Sequence, residues 1–196
     1  ISNYPGSALA PDAQYFLAEA HFCAEDYVSA VFEYQRLLDT YPASEWVDEA
    51  QYQIAEAYFE QSRRAELDQS ETRDALSHYR TFLDDNPQSP RADQARTRIA
   101  ECRDKLARKL LLTARLYKRQ RYLEAARLSY VELLDSYADT QFHYPAMLEL
   151  GDVLEGLGKP DEARQRWSEV ARDSADPELQ KQASERLAAH FQTQND

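Results

Sequence analysis

Glycine is scarce in this 196-residue chain, at four residues, and proline supplies only eight. That is too little turn chemistry for a β-sandwich, and no GxGxxG, GxxxxGK or GxSxG run occurs to cradle a phosphate or expose a nucleophile. Lysine is nearly as rare: Lys105, Lys109, Lys118, Lys159 and Lys181 are all there are. An acidic, lysine-poor surface fits a high-salt habitat, and GC-rich coding produces the same bias. The formal net charge is −12 and the sequence pI about 4.8, a balance that repels phosphate backbones and argues against nucleic acid as a partner. No run approaches the roughly 18 apolar residues that span a bilayer, and no signal peptide is visible. The two cysteines, Cys23 and Cys102, lie far apart in helical patterns and read as small buried hydrophobes. His21, His78, His143 and His190 have no partner at ligand spacing, so no metal site is expected. Nothing calls for a cofactor, and no constellation suggests catalysis.

What is abundant is Ala, Leu, Glu, Gln and Arg, the good helix formers. The stretch 11–42 decides the fold. Pro11 suits a first helical turn, Leu17, Ala18 and His21 share a face, and a break at Glu25-Asp26 leads to Tyr27. A second apolar stripe then runs through Ala30, Val31, Tyr34, Leu37 and Leu38 until Pro42. This is a helical hairpin with the residue sizes of a tetratricopeptide repeat, the small Ala18 and Ala30 letting two helix axes approach. Over 46–87 the pattern returns as Ile54, Ala55, Tyr58, Ala75, Tyr79, Phe82 and Pro87, interrupted by an insertion over 63–72.

A third unit, 90–138, shows Leu112, Thr113, Leu116, Tyr122, Ala125, Tyr130 and Leu133, one residue out of register, with Ala138 in the place of the proline. A fourth, 143–175, shows Leu150, Gly151, Leu154, Gly158, Ala163, Trp167 and Val170, and 177–192 reads as a capping helix. From Pro90 to Gln120 no further glycine or proline intervenes, which predicts one long helix; two helices meeting near Arg103–Lys105 is the alternative. Residues 1–9 look like the tail of a repeat whose body is missing, because YPGS at 4–7 matches YPAS at 41–44; a fragment is expected. The fold class is therefore all-α, a single solenoid of antiparallel helix pairs with a right-handed superhelix.

In such a solenoid the first helices of successive hairpins line the concave surface. Positions not used for hairpin packing are Asp12, Tyr15, Glu19 and Phe22 in the first unit and Glu49, Tyr52, Glu56 and Phe59 in the second. The two sets agree as acid, tyrosine, glutamate, aromatic. They are expected to form a groove for an extended peptide carrying aromatic side chains, with Glu19 and Glu56 repelling acidic tails. The competing reading packs Tyr15 and Tyr52 between neighbouring hairpins.

The Tyr-Pro-x-Ser endings and the run RIAECRDKLARKLLLTARLYKRQRYLEAARLSYVELLDSYADT (98–140) resemble the BamD-type lipoproteins of the outer-membrane β-barrel assembly (BAM) machinery. The Arg98–Arg108 segment on a long linking helix and the 63–72 insertion carry the resemblance, which covers 1 to about 172. It implies lipid anchoring at the periplasmic face of the outer membrane, through a cysteine this sequence lacks. It implies first repeats that receive unfolded outer-membrane proteins, last repeats that bind the barrel protein BamA, and other BAM lipoproteins as possible partners. Arg127 and Glu132 are the expected contacts to BamA. The rivals are a periplasmic Tol-associated coordinator of the CpoB type, a general repeat scaffold, and a regulatory domain of a larger enzyme.

Overall fold

The computed structural model describes residues 8–193, which contain nine α-helices and no strand. α1 (Ala10–Cys23) and α2 (Tyr27–Thr40) form the first hairpin, α3 (Val47–Gln61) and α4 (Ser70–Asp85) the second. α5 (Ala92–Arg119) is one uninterrupted helix of 28 residues, followed by α6 (Leu123–Ser136). α7 (His143–Gly156) and α8 (Pro160–Asp173) make the last hairpin, and α9 (Pro177–Thr193) follows. Of the expected repeat tail at 1–9, residues 1–7 lie outside the described residues. Packing divides the chain into two compact units, the first ending at Leu106 and the second beginning at Ala107, so the boundary falls inside α5.

Local chemistry sets the helix ends. Pro11 sits in the first turn of α1 and Pro160 opens α8, where a missing N–H costs nothing. The Asp26 side chain accepts from the Ser29 N–H and caps α2. The three tight turns within hairpins each contain one residue in the left-handed region: Glu25 (φ 60°), Arg121 (φ 65°) and Gly158 (φ 73°). In the second hairpin residues 62–69 replace that turn. There Gln69, 2% exposed, turns its side-chain amide inward and donates to the carbonyls of Arg63, Arg64, Leu67 and Asp68 at 2.8–3.5 Å.

Within each hairpin the contact is built from one small residue per helix. Ala18 and Ala30, Ala55 and Ala75, Ala114 and Ala126, and Gly151 and Ala163 are all buried. Beside them lie Tyr34, Tyr79, Tyr130 and Trp167, none more than 1% exposed, each worth about 1.5–3 kcal/mol of burial. Gly151 has a steric reason: a Cβ there would lie 2.2 Å from Nε1 of Trp167. The third hairpin is in register, contrary to the one-residue slip inferred from sequence. Its small positions are Ala114 and Ala126 rather than Thr113 and Ala125, and Tyr122, 63% exposed, stands outside the packing that half-buried Leu123 enters.

Each unit has its own core. In the first, Tyr15, Ala18, Ala30, Tyr34, Leu37, Ala50 and Ile54 pack together. In the second, a larger cluster around Tyr130, Leu133, Leu150 and Trp167 reaches Leu179 and Leu187 of α9. No described helix is long and apolar enough to cross a membrane.

Candidate functional site

The expected groove residues fall into two groups. Tyr15 and Tyr52 are each only 6% exposed and do not form an open lining. The Trp46 ring stacks on Tyr15 with centroids 4.3 Å apart, and the Arg91 guanidinium lies over the Tyr52 ring at 5.2 Å. Trp46 and Arg91 occupy the same place in successive repeats. The agreement between Tyr15 and Tyr52 therefore comes from packing of one repeat on the next. Phe59 is masked similarly, with Arg98 over it at 4.3 Å and Lys105 at 5.2 Å.

The carboxylates serve the same interface. Asp12 accepts from Trp46 Nε1 at 2.8 Å, and Glu19 accepts from the Tyr34 hydroxyl and from Gln53 Nε2. Glu49 pairs with Arg91 at 2.7 Å. Glu56, 8% exposed, accepts from the hydroxyls of Tyr52 (2.7 Å) and Tyr79 (2.6 Å) and from Arg98 (3.0 Å). A buried carboxylate is tolerable only when so completely bonded. The expectation that Glu19 and Glu56 present a repelling negative edge is corrected for Glu56, whose charge Arg98 meets. Burial next to these carboxylates holds the Tyr34 and Tyr79 hydroxyls well above the ordinary tyrosine range.

An open cleft of about 500 Å³ remains in the first unit. Its floor is Tyr52, Glu56, Arg91 and Arg98, and its rim includes Phe22, Gln53, Glu60, Gln94, Thr97 and Glu101. Of the expected residues the cleft gathers Phe22, Tyr52 and Glu56. Asp12, Tyr15, Glu19, Glu49 and Phe59 lie outside its lining. The sequence reading missed the α5 residues, which become visible once Arg91 and Arg98 are placed in the register of Trp46 and Gln53. It also missed Phe16, which is 58% exposed and sits edge-on to Trp46 with centroids 5.6 Å apart. The signal was there: a helix cannot bury three consecutive apolar residues such as Tyr15-Phe16-Leu17 on one face.

The second unit is stapled by the same device with its charges exchanged. Where Glu19 and Gln53 stand in the first unit, Arg115 and Glu149 stand here, joined at 2.5 Å, and Glu149 also accepts from the Tyr130 hydroxyl at 2.7 Å. Asp152 takes both Lys118 (2.8 Å) and Arg186 (2.6 Å). Arg127 is partly buried and pairs with Glu124 at 2.7 Å, while Glu132 is exposed. Among the described residues no cluster of three or more His, Cys, Asp or Glu is arranged to hold a metal ion.

Repeat hairpins of this size, the insertion in the second and the long linking helix coincide with a family match. The family described as YfiO, outer membrane lipoprotein, matches residues 1–170. The chain belongs to this family. No curated protein matches the YfiO-family chain. Solved structures that resemble it include a crystal structure of MamA protein, at 12% identity, TM-score 0.35, covering 87% of this chain and 98% of that one. A tetratricopeptide repeat protein from Parabacteroides merdae is 18% identical, TM-score 0.36, covering 98% and 80% respectively. The tetratricopeptide assignment itself rests on the hairpin geometry described above.

Proposed function

We propose that this YfiO-family chain is a non-catalytic, protein-binding component of the outer-membrane β-barrel assembly machinery. It receives unfolded outer-membrane protein segments on its first unit and binds a BamA-type barrel protein through its second, around Arg127 and Glu132. Other lipoproteins of that machinery are further partners, and attachment to the periplasmic face of the outer membrane is through a lipid anchor. The observation that carries this reading is the family match over residues 1–170. The open cleft of the first unit supports it, because amide and hydroxyl groups of Gln53, Gln94 and Thr97 can meet an extended backbone while Phe22 offers apolar area. The exposed Phe16 beside Trp46 adds an aromatic shelf for a client side chain. Burying one or two side chains at about 1.5–3 kcal/mol each barely offsets the association costs, so the expected affinity is micromolar or weaker.

The test is co-purification from envelope membranes combined with photocrosslinking. A benzophenone side chain at Thr97 should capture unfolded outer-membrane protein, and replacing the exposed Phe16 by alanine should reduce capture severalfold without lowering the melting temperature much. Failure to recover a BamA-type protein, together with undiminished capture by the variant, overturns the assignment.

A further inference from the structure

From Ala107 to Arg121 the chain carries Arg108, Lys109, Arg115, Lys118, Arg119 and Arg121 and no acidic residue, in a protein of formal net charge −12. The stretch is locally positive on an otherwise acidic chain. Two of these cations are neutralised within the second unit, Arg115 by Glu149 and Lys118 by Asp152. Arg119 and Arg121 form no ion pair among the described residues, and both line a cleft of about 440 Å³ with Arg115, Lys118, Asp152 and Leu123. Arg119 also ends α5, where a cation complements the helix dipole, so its presence alone decides little.

Arg121 is different. It sits in the left-handed region at φ 65°, with its N–H bonded to the Lys118 carbonyl and the next N–H to that of Tyr117. The matching turns use Glu25 at φ 60° in the first hairpin and Gly158 at φ 73° in the last, so the conformation is common to the hairpins and fixes where the Arg121 side chain leaves the turn. Arg121 also lines a neighbouring, mainly apolar hollow of about 480 Å³ with Tyr122, Leu123, Ala125, Leu157 and Glu124, whose carboxylate is met by Arg127 at 2.7 Å. Tyr122 is 63% exposed although aromatic. One guanidinium thus stands between a cationic cleft and an apolar hollow.

We propose that this end of the second unit is a docking site for an acidic peptide segment of a partner protein, one that sets carboxylates beside a large apolar side chain. Arg119 and Arg121 take the carboxylates, Arg121 as a planar fork, and the Tyr122–Leu157 hollow takes the apolar group. The site adjoins Arg127, which pairs with Glu124 at the edge of the hollow, and it rests on the reading of the chain as a protein-binding component. A peptide is favoured over an anionic lipid surface because the cations converge on a concave cleft with an adjoining apolar hollow, which a flat headgroup layer does not fill.

The experiment uses the full chain and a fluorescein-labelled peptide in which glutamates flank one leucine, read by fluorescence anisotropy. Saturable binding is expected, falling steeply between about 50 and about 300 mM salt. Arg119→Glu with Arg121→Glu should weaken it by about tenfold or more, and Tyr122→Ala by about threefold, with the melting temperature held and Thr97 crosslinking to client unchanged. That last arm separates this site from the client cleft. No saturable binding, affinity unchanged by the double charge reversal, or capture of phosphatidylglycerol vesicles without peptide binding would each overturn the proposal.

Discussion

Trp46 lies flat on Tyr15, the two ring planes 12° from parallel, and its indole N–H reaches Asp12 on the helix beneath. A residue from the second hairpin thus closes over a residue of the first and bonds to its neighbour, joining two repeats through one side chain. Trp46→Ala removes the stacked ring and the indole bond together and should cost about 2–4 kcal/mol in urea denaturation. Tyr15→Ala should destabilise comparably, and the double-mutant cycle should return a coupling of about 1 kcal/mol. A Tyr15→Ala variant with an unmoved urea midpoint would remove Tyr15 from the packing.

The hairpins were legible in the sequence because their cause is local. Two small residues and an aromatic recur at helical spacing, and Ala18, Ala30 and Tyr34 have no use other than letting two helices touch. The groove was not legible for a related reason. Tyr15 and Tyr52 recur just as regularly, and recurrence alone does not distinguish a binding lining from a surface that every next repeat covers. The covering residues, Trp46 and Arg91, share no chemistry, so only coordinates show them doing the same job. The third repeat reads one residue out of register in the sequence because α5 carries its pairing with the second hairpin and its pairing with α6 on a single helix. Adjacent candidates Thr113 and Ala114, or Ala125 and Ala126, look equally small from sequence.

Gly151 and Trp167 give a second prediction. Because a Cβ on residue 151 would meet the indole, Gly151→Ala should overpack the last hairpin by about 1–3 kcal/mol despite alanine's better helix propensity. The third hairpin solves the same contact with Ala114 and Tyr130. Gly151→Ala combined with Trp167→Tyr should therefore recover part of the lost thermal stability, whereas independent effects would make the double variant the worse of the two.

The loop at 62–69 depends on one side chain. Gln69 gathers four carbonyls of that loop and accepts from the Thr72 hydroxyl at 2.8 Å, so Gln69→Ala leaves these carbonyls without their shared donor. The loss is about 1–3 kcal/mol, concentrated in the loop. Exposed Arg63 and Arg64 make it readable: limited trypsin digestion should cut the variant between α3 and α4 several times faster than the parent. Equal cleavage rates would show that the loop holds its shape without Gln69.

Alkaline pH should unfold the protein through its hairpin tyrosines. Tyr34, Tyr79 and Tyr130 are fully buried, and each hydroxyl donates to a carboxylate, of Glu19, Glu56 and Glu149 respectively. Burial first, then the adjacent carboxylate, raises all three above the ordinary value of 10.0, because a phenolate there would lose water and face a like charge. The folded-state values exceed the unfolded one, so this contribution is complete below about pH 10 and is lost as pH rises past it. Each group then lowers stability by about 1.4 kcal/mol per pH unit. The ultraviolet absorbance of these three tyrosinates should accordingly appear together with the loss of helical circular dichroism, not before it. Replacing all three with phenylalanine should flatten the pH dependence while lowering stability at neutral pH, since Glu19, Glu56 and Glu149 each lose a donor. Tyrosinate absorbance that develops fully while the helix signal persists would mean that the hairpin contacts open without unfolding.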